Sequence, residues 1–264
     1  MDAVLYGQSG KNLKKPEGVA YTGQFYDFFK QYDGKSYYMM LLLSSGTLSI
    51  ASGKSYAADA SGIGGGGGGN DYCGGGSGYM DEKYGLTLSG EIVCTIGAGG
   101  FVGVDGGTTQ LLTLSAAGGS AAVRGNDQAP GNGGNGGGAG IRTTGHAIYG
   151  GVGGTNGGSG GAAGTQESPA SVAGGTGSGR AHTVFGENVE GEAGEVLEPF
   201  EYANYYVVRT GSGGAGIFGV SGSGLGDGQA SASGYGAGGG GLNNSTGGRN
   251  ANGSDGCIFV RIPI

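Results

Sequence analysis

The placement of glycine constrains this chain more than any other feature. Of 264 residues 72 are glycine, and only seven of those fall in residues 1–61. Beyond residue 61 glycine forms an unbroken run at 64–69 and dominates tracts at 131–140 and 150–164. Each glycine costs a helix about 1 kcal/mol relative to alanine, so long helices are excluded. The runs have no Gly-X-Y period and the chain has five prolines, which excludes a collagen triple helix. So few side chains also leave too little apolar volume for an ordinary enzyme core. A flexible linker is the simplest remaining reading. Against it, 36% hydrophobic and 9% aromatic residues exceed what a linker needs, and 12% charged residues are too few to hold a coil open. An ordered chain is expected.

Glycine can order without side chains. Polyglycine takes the extended left-handed helix of polyproline, with about three residues per turn and a rise of about 3.1 Å. Unlike proline, it keeps its N–H. Such helices approach closely and can satisfy each other's buried backbone groups. The expected fold class is therefore mostly β and irregular: short β-strands plus a packed array of polyglycine-II-type helices, with little α-helix.

Two regions break the glycine pattern. Residues 1–45 carry Lys11, Lys14, Lys15 and Pro16, then an aromatic cluster that includes Tyr21, Phe25, Tyr26, Phe28, Phe29, Tyr32, Tyr37 and Tyr38. One short helix at 22–32 is expected there. The cluster is either a small packed unit or an attachment patch, since aromatics are enriched at interface cores. The other break is an excursion at about 183–210, with Glu187, Glu190, Glu192, Glu195, Glu198 and Glu201, then Tyr202, Tyr205 and Tyr206. Tyrosine offers contact area and a hydroxyl at low entropic cost, which makes those three tyrosines the preferred recognition residues. Packing of the glycine body is the competing role. The chain thus divides into an N-terminal attachment segment, 1–45, and a glycine-rich body, 46–264.

Strands are expected at 38–43, 47–51, 56–63, 108–114, near 204–209 and at 257–264, with a hairpin over 86–96 turning at Ser89-Gly90. The net charge of −7 opposes nucleic-acid binding. The longest apolar stretch, 37–43, is too short to span a bilayer, and no signal peptide is evident. Cys73, Cys94 and Cys257 form no CxxC pair and read as buried hydrophobes; the spacing leaves a Cys73–Cys94 bridge open.

Chemical motifs are weak. Ser52-Gly53-Lys54-Ser55 ends like a P-loop, but Leu48 stands where the first glycine is needed. Residues 66–71 match one calcium-binding nonapeptide in part, without the second copy that stacking requires. The glutamates read as a solvated loop rather than a cation site or a glycosidase pair. His146 and His182 have no Ser or Cys motif beside them. No catalytic residue, metal or cofactor is expected, and the chain does not read as an enzyme.

The order of the pieces resembles the glycine-rich domains of phage tail-fibre and adhesin proteins. The resemblance rests on Ser44-Ser45-Gly46-Thr47 through Gly53, the block at 64–69, and Thr95-Ile96-Gly97-Ala98-Gly99-Gly100. It continues with Gly106-Gly107-Thr108-Thr109 to 116–119, Gly234-Tyr235-Gly236-Ala237 with 238–241, and Asp255-Gly256 before the last strand. Some members resemble the tip adhesins of T-even-like phages, in which polyglycine helices form a sandwich whose end loops contact the host. The resemblance covers about 44–264 and implies a virion protein that binds a bacterial surface receptor, protein or glycan. Attachment to other virion or tail proteins falls to residues 1–45, through Phe25, Tyr26, Phe28 and Phe29. The alternative is a purely structural virion part, such as a capsid fibre, decoration or tail-tip protein, without receptor contact.

Overall fold

The computed structural model describes residues 13–32, 34–70, 73–123, 131–135, 137, 153–158, 182–184, 187–189, 235–239 and 252–264. Among the described residues there is no helix. The strands among them are β1 (Val19–Tyr21), β2 (Phe25–Tyr32), β3 (Lys35–Leu42), β4 (Gly46–Ile50), β5 (Tyr56–Ile63), β6 (Met80–Leu88), β7 (Glu91–Thr95), β8 (Thr109–Leu111), β9 (Leu114–Ala116), β10 (Gly133–Asn135), β11 (Gly153–Gly158), β12 (His182–Val184), β13 (Glu187–Val189) and β14 (Cys257–Pro263). Ten of them build two antiparallel five-stranded sheets, ordered β1-β4-β7-β8-β9 and β2-β3-β14-β5-β6. The other four form two separate pairs, β10–β11 and β12–β13.

Sequence pattern separates the two sheets. In the first, β7 alternates exposed and buried along Glu91–Thr95, and β1, β8 and β9 alternate likewise. One face packs and the other is wet. In the second, Met39, Met40, Leu41 and Leu42 are all buried, and so are Cys257, Ile258, Phe259 and Val260. Successive strand residues face opposite sides, so this sheet is covered on both. Its inner face supplies Tyr38, Met40, Leu42, Ile258, Val260 and Ile262 to a core shared with Leu48, Ile50, Ile92, Leu111 and Leu114 of the first sheet. Its outer face gathers Met39, Leu41, Ile63, Cys257 and Phe259, with Tyr235 packed against them. Full burial of each such side chain contributes roughly 1.5–3 kcal/mol.

The helix expected at 22–32 is strand β2 instead. Aromatics at 21, 25, 28, 29 and 32 mimic helical spacing. They do so because Phe25 and Phe29 pack on the inner core while Phe28 packs on the outer one. Apolar residues on both faces of a strand erase the period-two signal. The expected hairpin over 86–96 is also different. The bend at Ser89-Gly90, with Gly90 at φ 64°, carries the chain from one sheet to the other, since β6 pairs with β5 and β7 with β4 and β8. The expected strand 108–114 is a tight hairpin of β8 and β9, turned at Leu112 with φ 50°. The terminal strand falls where expected, at the centre of its sheet between β3 and β5.

The glycine runs continue the strands. Residues 64–69 follow β5, 73–79 precede β6, 97–100 follow β7, 104–108 precede β8, 117–122 follow β9 and 252–256 precede β14. Their hydrogen bonds run between segments and recur every third residue. Gly64 and Gly67 donate to the carbonyls of Tyr79 and Gly76; Gly65 and Gly68 donate to those of Gly107 and Val104; Gly66 donates to Ser254. The carbonyls of Gly66 and Gly69 accept from Gly100 and Gly103, those of Gly65 and Gly68 from Gly119 and Ala122, and that of Gly67 from Gly239. The segment 64–69 is thus bonded to six neighbours, which pair ten of its twelve backbone N–H and C=O groups. Only glycine permits this spacing: a Cβ on Gly65 would overlap the carbonyl of Ala98, and one on Gly68 that of Phe101.

Candidate functional site

Three of the glycine segments run from the sandwich to loops at their far end. The best described is the turn at 101–104. Val104 N–H donates to the Phe101 carbonyl at 2.8 Å, and Gly103 takes φ 70°, the left-handed conformation that a type II turn requires at its third position. The turn is held from below on both sides. Gly103 donates to Gly69 and Gly68 donates to Val104, each at 3.0 Å. Next to it, Asp105 Oδ1 accepts the Ala121 N–H at 2.7 Å, and Ala122 donates to Gly68 at 2.9 Å, so the loop leading to Val123 is fixed against the same support.

The side chains on these loops are apolar and exposed. Phe101 is 70% exposed, Val102 44%, Val104 51% and Val123 56%. Turns ordinarily carry Gly, Asn, Asp, Ser or Pro. A turn that displays Phe and two Val to water is a candidate contact surface. Sequence reading passed over these residues because they sit as a short interruption between two glycine runs. The signal was present: Phe101-Val102-Gly103-Val104 has turn geometry built from non-turn side chains.

The residues singled out from the sequence fall differently. Tyr202, Tyr205 and Tyr206 lie outside the described residues, as do the strand near 204–209, His146 and every glutamate of the excursion except Glu187, which belongs to β13. Of the aromatic four on β2, Phe25 meets Tyr21 edge-on at 5.7 Å, Phe29 leans on Tyr38 at 5.7 Å, and Phe28 packs on the outer core. Tyr26 is the exposed member, at 38%. Residues 19–42 belong to both sheets, through β1 on β4 and β3 on β14.

Beside β2 lies a polar cluster. Tyr38 Oη donates to Asp27 Oδ2 at 2.5 Å, and Lys15 Nζ reaches the same oxygen at 3.4 Å. Lys15 also sits over the rings of Phe25 and Tyr38. Burial, reinforced by the bond to Asp27, lifts the Tyr38 phenol far above its usual range. These groups lock β2 to β3 and hold no free nucleophile.

The remaining chemical motifs resolve into structure. Lys54, the P-loop-like lysine, pairs with Glu17 at 2.9 Å. Cys73, Cys94 and Cys257 are buried and form no disulfide: Cys94 is in the inner core and Cys257 in the outer one. Burial pushes the Cys94 thiol up to about 11. Among the described residues no group of three His, Cys, Asp or Glu side chains could hold a metal. No described helix is long and apolar enough to cross a membrane. No protein-family model matches the chain, and no curated protein matches it.

Proposed function

We propose that this protein is a phage virion protein, a tail-fibre or tail-tip adhesin that binds the host cell surface through loops on a polyglycine scaffold. The observation that carries the reading is the three-residue recurrence of hydrogen bonds around 64–69. Three residues per turn is the repeat of the polyglycine-II helix, whose N–H and C=O groups radiate in three directions and so serve six neighbours. Packed helices of this kind, bonded mostly through backbone with a few side-chain links such as Asp255 to Gly99, form a stiff body with few side chains to spare. At the rise of that helix, Gly64 to Gly69 spans roughly 16 Å. The body's task is to hold something at its end, and the far end carries Phe101, Val102, Val104 and Val123.

On this reading loops supply specificity and the scaffold supplies rigidity. A preorganised apolar turn binds at lower entropic cost than a mobile one. Its partner is a bacterial surface receptor, and other virion proteins take the sandwich end, to which residues 1–45 contribute. The glutamate- and tyrosine-bearing excursion, with Tyr202, Tyr205 and Tyr206, is a second candidate contact.

The test is flow cytometry of the fluorescently tagged full chain on a panel of bacterial isolates. Saturable binding to a subset of strains is expected. A folded protein that binds none would leave a structural virion part as the account.

A further inference from the structure

Among the described residues a second surface has no partner strand, and it is made of backbone. Strand β2 is an edge of its sheet. Its hairpin with β3 closes at Tyr32 opposite Lys35, and Leu43 N–H bonds to Gln24 O at the other end. In an antiparallel pair the bonded residues alternate. Even-numbered residues of β2 therefore bond β3, and the N–H and C=O of Phe25, Asp27, Phe29 and Gln31 point away from the sheet. The other edges of the two five-stranded sheets are protected: β1 and β9 have three residues each, and the β6 ladder is interrupted between Ala58 and Ala60. Strand β2 has eight residues in regular register and no proline.

We infer that β2 pairs with β2 of a second copy of this chain, antiparallel about a twofold axis, joining two five-stranded sheets into one. This goes beyond the adhesin reading and does not depend on it. The edge is self-complementary in one register. With Phe28 opposite Phe28, Asp27 faces Phe29, Phe25 faces Gln31 and Tyr26 faces Lys30. All four outward-pointing residues are then paired, no like charges are opposed, and Lys30 lies across from an aromatic ring. A shift toward the start of the strand sets Asp27 against Asp27, and a shift the other way leaves Phe25 without a described partner. Asp27 costs the pairing little, because Lys15 balances its charge and Tyr38 donates a hydrogen bond to it.

The experiment is sedimentation velocity of the full chain at micromolar concentration, with Gln31→Pro as the probe. Proline at 31 removes an N–H that points away from β3, so the hairpin keeps its backbone bonds and loses only the side-chain bond from Gln31 Nε2 to Ser36 Oγ. The wild type is expected to sediment as a dimer and the variant, with an unchanged circular dichroism spectrum, as a monomer. A monomeric wild type, or a folded variant that stays dimeric, overturns the proposal. An independent probe is Phe28→Cys. Facing non-bonded residues bring Cβ atoms to about 4.5–5.5 Å, and the native thiols are buried, so mild oxidation is expected to give a covalent dimer. A folded Phe28→Cys protein that remains monomeric under oxidation overturns it equally.

Discussion

A Cβ placed on Gly66 would overlap the carbonyl oxygen of Ala237. Gly66 also donates to Ser254 and accepts from Gly100, so its own backbone cannot retreat. Gly66→Ala is therefore expected to cost more than about 3 kcal/mol, the upper range for overpacking, because the obstacle is backbone rather than a side chain that can turn. Gly53→Ala is the matched comparison. That site has φ 76° and open space around the missing Cβ, so only the left-handed strain applies, about 1–2 kcal/mol. Denaturant melts of the two variants check this; equal destabilisation would contradict it.

Tyr38 and Asp27 lock the β2–β3 hairpin. Tyr38→Phe removes one hydrogen bond to a charged acceptor and leaves Asp27 paired with Lys15 alone. A loss of about 1.5–3 kcal/mol is expected, as for other bonds to charged groups. A change within 0.5 kcal/mol, on the scale of about half that of a neutral bond, would mean that the pair contributes little.

Stability is expected to fall on the alkaline side. Burial raises Cys94 to about 11 and Tyr235 to about 12, and lifts Cys257, Tyr21 and Tyr38 further. Above the ordinary thiol and phenol values the unfolded chain releases protons that the folded chain retains. The folded state is thus fully favoured below about pH 8.5, the unperturbed thiol value, and loses ground as pH rises through the folded values. Thermal melts at rising pH should show a falling midpoint, with a shallower fall in Tyr38→Phe. A midpoint unchanged up to pH 11, where the Cys94 thiol titrates, would contradict the burial of these groups.

The tip predicts a separation of binding from folding. Phe101→Ser with Val104→Ser removes exposed apolar surface and leaves the backbone bonds of the turn, which involve no side chain. The melting temperature should stay within a few degrees of wild type, as for surface substitutions of under about 0.5 kcal/mol. Cell binding, read by the same cytometry, should fall at least tenfold. Full binding by the variant would move the receptor contact away from this turn.

Much of the sandwich was legible in the sequence. The run at 257–264 and the stretch 56–63 read as strands because apolar residues end abruptly at glycine or proline. The stretch 91–96 read as a strand too, but as half of a hairpin with the residues before it rather than as a partner of β4. What failed was local pattern under double burial: Phe25, Phe28 and Phe29 serve two cores, so their spacing carries no strand period. Which glycine segment neighbours which was not legible either. Glycines at 65 and 66 are chemically identical, yet one bonds Gly107 and the other Ser254. The strands that lead into each segment set that arrangement, and their partners are distant in sequence. The tip was missed for the opposite reason, since Phe101 and Val104 are ordinary core residues by type and only their position on a turn makes them a surface.

The central claim is that the glycine runs are the rigid body of this protein and not its linkers. Amide hydrogen exchange, followed peptide by peptide, tests it most directly. The account predicts that the amides of Gly64, Gly65, Gly66, Gly67 and Gly68 exchange as slowly as those of β14, through global unfolding alone. Exchange of these amides at the rate of a free polyglycine peptide, while β14 stays protected, would contradict it.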